Sequence, residues 1–389
     1  MKPVVIIPGF AGSRLCIKRP SVTTALNRTP KNDFINLNPF DKTWRVHFEL
    51  DIDKHSSRAD IIDDIDVHDF GGVDGIRNLC DDCQVIDNII RKIDASKTID
   101  KTYNYKYFDS LISHLMSQHG YESRSDMFGA PYDFRKIGIV EYVEKYVDRL
   151  KDLLETSFDK NNGKRAVLLA HSIGGLVAYI ILTEFISQSW KDRFIDRFIS
   201  VSAPYGGCSI AMKTCLSGYP QLPFLKKKYL HVMSQSTGMT LAYPNVFGYR
   251  KSEILLAGMS INDGEFDVSN FQEALPEKMR HIWLDNTMDF IPSYVKNTGV
   301  PTTIITASLT SPTDHAYIYQ DLANTANQTP IITRYTNGDS LIPRSSLTVH
   351  QRRASDFPNY NFMQLSGVEH TSILNDRRFH DIVTHYLRS

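Results

Sequence analysis

Short apolar runs alternate along this chain with longer segments in which apolar residues recur every three or four positions. Residues 4–7 are uninterruptedly apolar and end at Pro8-Gly9, which is typical of a buried strand followed by a turn. Later runs predict further core strands at about residues 165–169, 198–201, 302–306 and 361–365. Their short length and the turn residues around them favour strands over helices.

Helical spacing marks several of the segments between these runs. From residue 105 to 115 the apolar residues follow helical spacing, and Gly120 marks the end of that helix. A second helix is predicted at about residues 139–158, and its apolar face is formed by Val143, Val147, Leu150 and Leu154. Helical patterns also begin at about residue 173 and cover about residues 372–387.

This alternation of strands and helices predicts an α/β fold, with a mostly parallel sheet covered by helices on both faces. The chain contains no repeats, low-complexity tract or clear linker, so we expect a single domain over residues 1–389. Two stretches break the alternation. About ninety residues after the first strand are rich in Asp, Asn and Gly, and about residues 209–292 are expected to form an insertion over the sheet.

Composition and charge narrow the functional classes. Hydrophobic residues are 42% of the 389 positions and charged residues 23%, which argues against disorder. Lys and Arg together number 44, as do Asp and Glu, so the basic excess typical of nucleic-acid-binding proteins is missing. The longest apolar stretch, residues 173–186, contains Thr183 and Glu184 and is shorter than the roughly 20 residues of a transmembrane helix. With no evident signal peptide, we expect a cytoplasmic or peripheral membrane protein.

The cysteines argue for a reducing compartment and against a metal site. There are five, at positions 16, 80, 83, 208 and 215, which is a low and odd number. Cys80 and Cys83 have zinc-like spacing, but no second Cys pair and no His pair with ligand spacing accompanies them. A structural or chance placement is therefore favoured over a metal site.

The strongest local motif is Ala170-His171-Ser172-Ile173-Gly174, in which an apolar strand ends and an apolar helix begins. It matches the nucleophile elbow, G-x-S-x-G, with Ala in the first position. Small residues two positions before and after the serine let strand and helix approach closely, which lifts the hydroxyl out at the carboxyl edge of the sheet. The alternative is an unreactive serine in a glycine-rich turn, and we favour the nucleophile.

A serine nucleophile needs a base and an orienting acid, which follow it in the chain order Ser, Asp, His. His370 comes directly after the apolar run at 361–365, which places it at the same sheet edge as Ser172; the alternative is an ordinary surface histidine. Asp339 follows the apolar run at 331–335 and is the best candidate for the acid, although Asn-Gly-Asp is also a common turn. Asp289 is its rival.

Two backbone amides are candidates for an oxyanion hole. The N–H of Ile173 lies at the start of the predicted helix, where amides are free to bind an anion. The N–H of Phe10 follows Gly9 in the loop after the first strand, although a tight turn would also explain that glycine.

Six segments, in one order along the chain, resemble the lecithin–cholesterol acyltransferase family, which includes lysosomal phospholipase A2 and phospholipid–diacylglycerol acyltransferases. The most specific part is the predicted helix from Tyr103 to Gly120, which leads into Gly-Tyr and then Gly-Ala-Pro-Tyr-Asp-Phe-Arg at residues 129–135, because a nucleophile elbow alone occurs in all α/β-hydrolases. The resemblance covers nearly the whole chain and is weakest over residues 209–292. The segments are residues 7–13, 128–135, 170–175, 203–207, 337–339 and 369–370.

The resemblance implies an α/β-hydrolase fold with a membrane-binding or lid-like insertion at about 17–101 and a cap at about 209–292. It also implies a serine acyl-enzyme that moves a fatty acyl chain from a glycerophospholipid to water or a lipid alcohol, at a phospholipid membrane surface. Ser172, Asp339 and His370 match the family's triad, and Phe10 and Ile173 match its oxyanion donors. This mechanism requires no metal or organic cofactor.

Two other functions remain as hypotheses. The first is a soluble carboxylesterase or lipase with the same triad acting on a different ester. The second is a catalytically idle lipid-binding protein that keeps the fold. The presence of all three triad groups in the expected order argues against the idle protein.

Overall fold

The computed structural model describes residues 1–10, 12–13, 15–17, 65–67, 69–77, 107–218, 236–260 and 263–389. Its strands are β1 Val4–Ile7, β2 Leu15–Ile17, β3 Ile65–Val67, β4 Met127–Gly129, β5 Ala166–His171, β6 Ile195–Val201, β7 Leu256–Gly258, β8 Glu265–Phe266, β9 Thr302–Tyr319, β10 Ile332–Gly338 and β11 Tyr360–Ser366. Its α-helices are α1 Asp74–Arg77, α2 Asp109–His119, α3 Val140–Lys160, α4 Ile173–Ile180, α5 Gln188–Phe194, α6 Ser209–Ser217, α7 Thr237–Thr240, α8 Glu277–Asn286, α9 Arg344–Leu347 and α10 Arg377–Arg388. A π-helical turn, Ile181–Phe185, continues α4, and 3₁₀ turns cover Phe271–Ala274, Met288–Val295, Leu322–Asn327, Gln351–Asp356 and Ser372–Asn375.

A central sheet positions the loops that carry the candidate chemistry. Within the described ranges it has nine strands, of which six run parallel in the order β4-β1-β5-β6-β9-β11. β1 lies between β4 and β5, so that Val5 is opposite both Phe128 and Leu168. Because the carboxyl ends of parallel strands meet at one edge, the loops after β1, β4, β5 and β11 converge there.

The two faces of this sheet bury alternate side chains of its strands. Val5 and Leu168 belong to a core layer that also contains the apolar faces of α3 and α4. Ile6 and Leu169 belong to the opposite layer, which contains the apolar faces of α2 and α10. The predicted apolar face of α3 is confirmed, since all four of its residues are buried.

The predicted fold class is confirmed. Each predicted strand and each predicted helix overlaps an observed one, and Gly120 ends α2 in the left-handed conformation with φ 69°. A mostly parallel sheet covered by helices on both faces, with Ser172 between β5 and α4 at its carboxyl edge, is the α/β-hydrolase fold.

Strand β9 is much longer than the predicted run at 302–306. Its first part pairs in parallel with β6 and β11, whereas its later part pairs with β10 antiparallel and with β7 in parallel. Pro312 and Asp314 interrupt the apolar pattern, which is why the sequence indicates only the first part. The ribbon formed by β9 and β10 returns the chain to the sheet edge at Asp339.

The two predicted insertions are described to different extents. Of residues 17–101, only Ile17, residues 65–67 and residues 69–77 are described, and the remainder lies outside the described residues. Of residues 209–292, the structure describes α6, α7, β7, β8 and α8. Phe271, Met279 and Trp283 of this second stretch pack into the core layer shared with α3 and α4. No helix among the described segments combines the length and the apolar character needed to cross a membrane.

Gly174 marks the point where α4 passes the end of β1. A Cβ atom on this residue would lie 2.1 Å from the carbonyl oxygen of Pro8, far inside van der Waals contact. The close approach of helix to strand therefore depends on the missing side chain. This is the physical reason for a small residue two positions after Ser172.

We expect Gly174→Ala to lower the free energy of unfolding by about 3 kcal/mol, the upper range for overpacking, because the methyl group collides with rigid backbone. Gly264→Ala is the matched control, since its Cβ would meet the Phe266 ring at an ordinary 3.5 Å. Urea unfolding of both variants measures the difference. Equal stability of the two would contradict the close packing of α4 on the loop after β1.

His350 is a buried histidine on the α4 side of the sheet. Its Nε2 lies 2.9 Å from the hydroxyl of Tyr179, and its ring packs against Tyr205. Burial lowers the pKa of His350 to about 3, whereas an unfolded histidine titrates near its ordinary value of about 6.5. The unfolded state therefore binds more protons than the folded state as pH falls below about 6.5, and stability is lost in that direction.

We expect His350→Gln to reduce the stability loss between about pH 7.5 and about pH 5 by about 2 kcal/mol, because glutamine does not titrate. Glutamine keeps a hydrogen-bonding group near the position of Nε2. His281→Gln, on an exposed position of α8, is the control and should leave the loss unchanged. The measurement is urea unfolding at both pH values, and an unchanged loss in His350→Gln would show that His350 is not the sensitive group.

Candidate active site

Ser172 forms a sharp turn between β5 and α4. Its backbone has φ 56° and ψ −132°, which is rare for a residue with a side chain and costs of order 1–3 kcal/mol. Its N–H donates to the carbonyl of Val201 on β6, and its own carbonyl accepts from Gly175 in α4. The side chain is 9% exposed. This is the strained geometry of a nucleophile elbow, at the position that the motif predicts.

His370 reaches Ser172 from the loop after β11. Its Nε2 lies 2.8 Å from the Ser172 hydroxyl oxygen, although the two residues are 198 positions apart. The backbone N–H of His370 donates to the carbonyl of Asp339 at 2.8 Å, which connects its loop to the one that follows β10. The side chain is buried, so water competes little for its ring nitrogens.

Asp339 is fully buried and occupies the other side of the His370 ring. One of its carboxylate oxygens, Oδ2, lies 2.7 Å from His370 Nδ1. The other oxygen, Oδ1, accepts from the backbone N–H groups of Leu341 and Ile342 at 3.1 and 2.7 Å. A carboxylate can only accept, so it fixes the proton of His370 on Nδ1 and leaves Nε2 to accept from Ser172.

The rival acid is not at the site. Asp289 lies in the 3₁₀ turn Met288–Val295 and is exposed, whereas His370 is paired with Asp339. The structure thus brings together Ser172, Asp339 and His370 from the sequence prediction. Their catalytic roles remain a prediction that the geometry supports.

The two predicted oxyanion donors belong to the elbow itself and to the loop after β1. Ile173 is the first residue of α4, and its N–H has no acceptor within the described chain. Phe10 follows β1, and its ring packs against Phe134 with centroids 4.7 Å apart. A Cβ on the preceding Gly9 would lie 2.8 Å from Ser172 Cβ, so this loop is pressed directly against the elbow.

Tyr107 and His171 are site residues that the sequence prediction missed. The Tyr107 hydroxyl lies 2.7 Å from His171 Nδ1 and accepts from the N–H of Gly9, also at 2.7 Å. His171 Nε2 lies 2.9 Å from the carbonyl oxygen of His370. The sequence shows Tyr107 only as one more aromatic residue before a helix, and no local signal marks its contacts.

Among the residues that the structure describes, no group of three or more His, Cys, Asp or Glu side chains is arranged to hold a metal ion. Cys80 and Cys83 lie outside the described residues, so their zinc-like spacing stays an observation on the sequence.

Comparison with known proteins relates this fold and site to enzymes of lipid metabolism. A sequence model of the family described as lecithin:cholesterol acyltransferase matches residues 89–244, which include Ser172. The lecithin-cholesterol acyltransferase-like 1 of Arabidopsis thaliana is 28% identical over 288 residues, covering 69% of this chain and 62% of the plant protein. The phosphatidylcholine-sterol acyltransferase of Mus musculus is 26% identical over 358 residues, covering 89% of this chain and 75% of the mouse protein.

Two further similarities extend the comparison. The lysosomal phospholipase A and acyltransferase of Rattus norvegicus is 27% identical over 265 residues, covering 64% of this chain and 59% of the rat protein. In the crystal structure of a Tle4-Tli4 complex, a chain with 12% identity superimposes with a TM-score of 0.59, covering 100% of this chain and 98% of that one. That likeness shows a shared fold. The family model and these relatives agree with the resemblance of the motifs, so the comparisons support a relationship of this chain to the lecithin:cholesterol acyltransferase family.

Proposed function

We propose that this enzyme uses Ser172 to take a fatty acyl chain from a glycerophospholipid and passes it to water or to a lipid alcohol. The observation that carries the proposal is the hydrogen-bonded series from the Ser172 hydroxyl through His370 to the buried carboxylate of Asp339. The names of the relatives support the lipid substrate, since they describe acyltransferases acting between phosphatidylcholine and sterol and a phospholipase A.

The first half-reaction forms the acyl-enzyme. His370 Nε2 takes the proton of Ser172 as its oxygen attacks the ester carbonyl of the phospholipid, and a bond forms between that oxygen and the acyl carbon. Asp339 stabilises the imidazolium that results, because its carboxylate faces Nδ1 from a fully buried position. The amides of Phe10 and Ile173 hold the oxyanion. The ester bond then breaks, and His370 returns the proton to the leaving lysophospholipid oxygen.

The second half-reaction releases the acyl chain. His370 takes a proton from water or from the hydroxyl of a lipid alcohol, whose oxygen attacks the acyl carbon. The bond to Ser172 breaks and the serine oxygen recovers the proton from His370. Water yields a free fatty acid, and a lipid alcohol yields a new ester. Neither half-reaction requires a metal or an organic cofactor.

We further propose that the enzyme acts as a peripheral protein at a phospholipid surface. Its substrates are lipids held in a bilayer, and none of the helices within the described ranges could span one. The insertion at about 17–101 is proposed to contact the membrane or act as a lid, and that at about 209–292 to form a cap. In support, Phe271, Met279 and Trp283 of the second insertion pack into the core layer that contains the apolar faces of α3 and α4.

We expect Ser172→Ala to abolish acyl release and Asp339→Asn to lower kcat by about 10³- to 10⁴-fold, because an asparagine no longer holds the imidazole in the required tautomer. The measurements are hydrolysis of p-nitrophenyl butyrate and labelling with a fluorophosphonate probe, with circular dichroism to confirm folding. Asp289→Asn is the matched control and should keep wild-type rates. A rate of acyl release by Ser172→Ala above a few per cent of the wild-type rate would contradict the mechanism.

The acyl acceptor can be identified by lipid analysis after incubating the protein with liposomes of phospholipid, sterol and diacylglycerol, alongside Ser172→Ala. Free fatty acid with lysophospholipid, absent from the variant, would make the enzyme a phospholipase A. New sterol ester or triacylglycerol would make it a transferase and name the acceptor. Activity on p-nitrophenyl butyrate without any lipid product would instead indicate a soluble carboxylesterase, and no activity on either would indicate an idle lipid-binding protein.

A further inference from the structure

A buried series of hydrogen bonds connects the loop after β1 to the loop that carries His370. It runs from the Gly9 N–H to the Tyr107 hydroxyl, then to the His171 ring, and ends at the backbone carbonyl of His370. The three bonds measure 2.7, 2.7 and 2.9 Å, and the side chains of Tyr107 and His171 are buried. It contains neither Ser172 nor Asp339, so the proposed mechanism does not use it.

The chemistry of the groups determines which one donates and which one accepts in each hydrogen bond of this series. A carbonyl oxygen only accepts, so His171 Nε2 carries a proton and donates to His370. A neutral His171 then has Nδ1 free to accept, and the Tyr107 hydroxyl donates to it while accepting from Gly9. His171 is held neutral, because burial lowers its pKa well below the usual range and a charge on His370 lowers it further.

The loop after β1 is also shaped around the Tyr107 ring. A Cβ on Gly9 would lie 2.9 Å from the Tyr107 hydroxyl oxygen, and one on Gly12 would lie 2.6 Å from its Cε1. Gly9 directly precedes Phe10, whose amide is a proposed oxyanion donor. The position of that amide therefore depends on where the Tyr107 side chain holds the loop.

We propose that Tyr107 is a positioning residue for acyl transfer: it holds the oxyanion loop through Gly9 and, through His171, the backbone segment that carries His370. This inference rests on the proposed function of Ser172, Asp339 and His370. Tyr107 touches no reacting atom. Its effect is to keep the Phe10 amide and the His370 ring correctly positioned relative to Ser172, which lies between them.

Tyr107→Phe is the direct test, because it keeps the ring that packs on Phe108 and His171 and removes only the hydroxyl. We expect kcat on p-nitrophenyl butyrate and the rate of fluorophosphonate labelling of Ser172 to fall by about 10- to 100-fold, with KM within about twofold of wild type, since misplacement of an oxyanion donor affects mainly the transition state. Tyr319→Phe is the matched control: it removes a buried hydroxyl at the end of β9 that bonds Ser217 rather than Gly9 or His171, and it should keep wild-type rates.

Substitution of His171 provides a second test that does not depend on the stability of Tyr107→Phe. Glutamine places an amide N–H near the position of Nε2 and can still donate to His370, whereas leucine removes every hydrogen bond. We expect kcat of His171→Gln to be at least about tenfold higher than that of His171→Leu, at similar KM. The reason is that glutamine keeps the hydrogen bond to the His370 carbonyl and so preserves part of the positioning of that segment. Thermal unfolding of all four variants separates loss of rate from loss of fold.

The outcomes distinguish this inference from the proposed function. Wild-type protein that neither labels nor hydrolyses the ester overturns the proposed function and this inference with it. Reactive wild-type protein with wild-type rates in Tyr107→Phe overturns the inference alone. If Tyr107→Phe does not fold, the His171 pair decides, and equal kcat in His171→Gln and His171→Leu overturns the inference.

Discussion

The site depends on a single strained residue. Ser172 adopts φ 56° and ψ −132° because β5 and α4 meet at a sharp angle, and the surrounding packing leaves it no relaxed alternative. That packing requires residues without a side chain at two positions near the turn. Gly174 lies against the Pro8 carbonyl, and Gly9 lies against Ser172 itself. The strain projects the hydroxyl beyond the sheet edge, where groups from other loops can reach it. Without this strained turn, the Ser172 hydroxyl would not lie within hydrogen-bond distance of His370.

The parallel sheet makes this convergence possible. Ser172 and His370 are 198 positions apart, and His370 and Asp339 are 31 apart, yet each pair is within hydrogen-bond distance. Because the carboxyl ends of parallel strands lie at the same edge of the sheet, the loops that follow β5 and β11 lie close together there. Asp339 does not follow a parallel strand; it lies directly after β10, at the end of the antiparallel ribbon of β9 and β10. The ribbon is thus part of the proposed active site, although it lies beyond the parallel core.

Burial makes the charges of the site effective. The carboxylate of Asp339 is wholly removed from solvent, and two backbone amides and the His370 ring replace the water it loses. Beside it, His171 is kept neutral by burial, which avoids a second positive charge next to the imidazolium that the proposed mechanism forms on His370. A buried site with matched donors and acceptors needs little reorganisation as charge develops, which is the main source of catalysis in acyl transfer.

Local features of this protein could be determined from the sequence by itself. The strand, the small residues and the helix around Ser172 lie within a few positions of one another, so the elbow has a sequence signature. His370 and Asp339 can be predicted as its partners because the chain order Ser, Asp, His and the apolar runs before them are also visible along the chain. The same holds for α3, whose apolar face shows a helical period.

Only the tertiary structure decided which of these distant groups touch. It selected Asp339 over Asp289, extended β9 through Pro312 into the ribbon, and joined Tyr107 to His171 across 64 positions. Contacts of this kind leave no periodic pattern, because each depends on where two separate loops lie relative to one sheet. A residue such as Tyr107 acts through distances of about 3 Å to backbone and ring atoms, and those distances exist only after the sheet has formed.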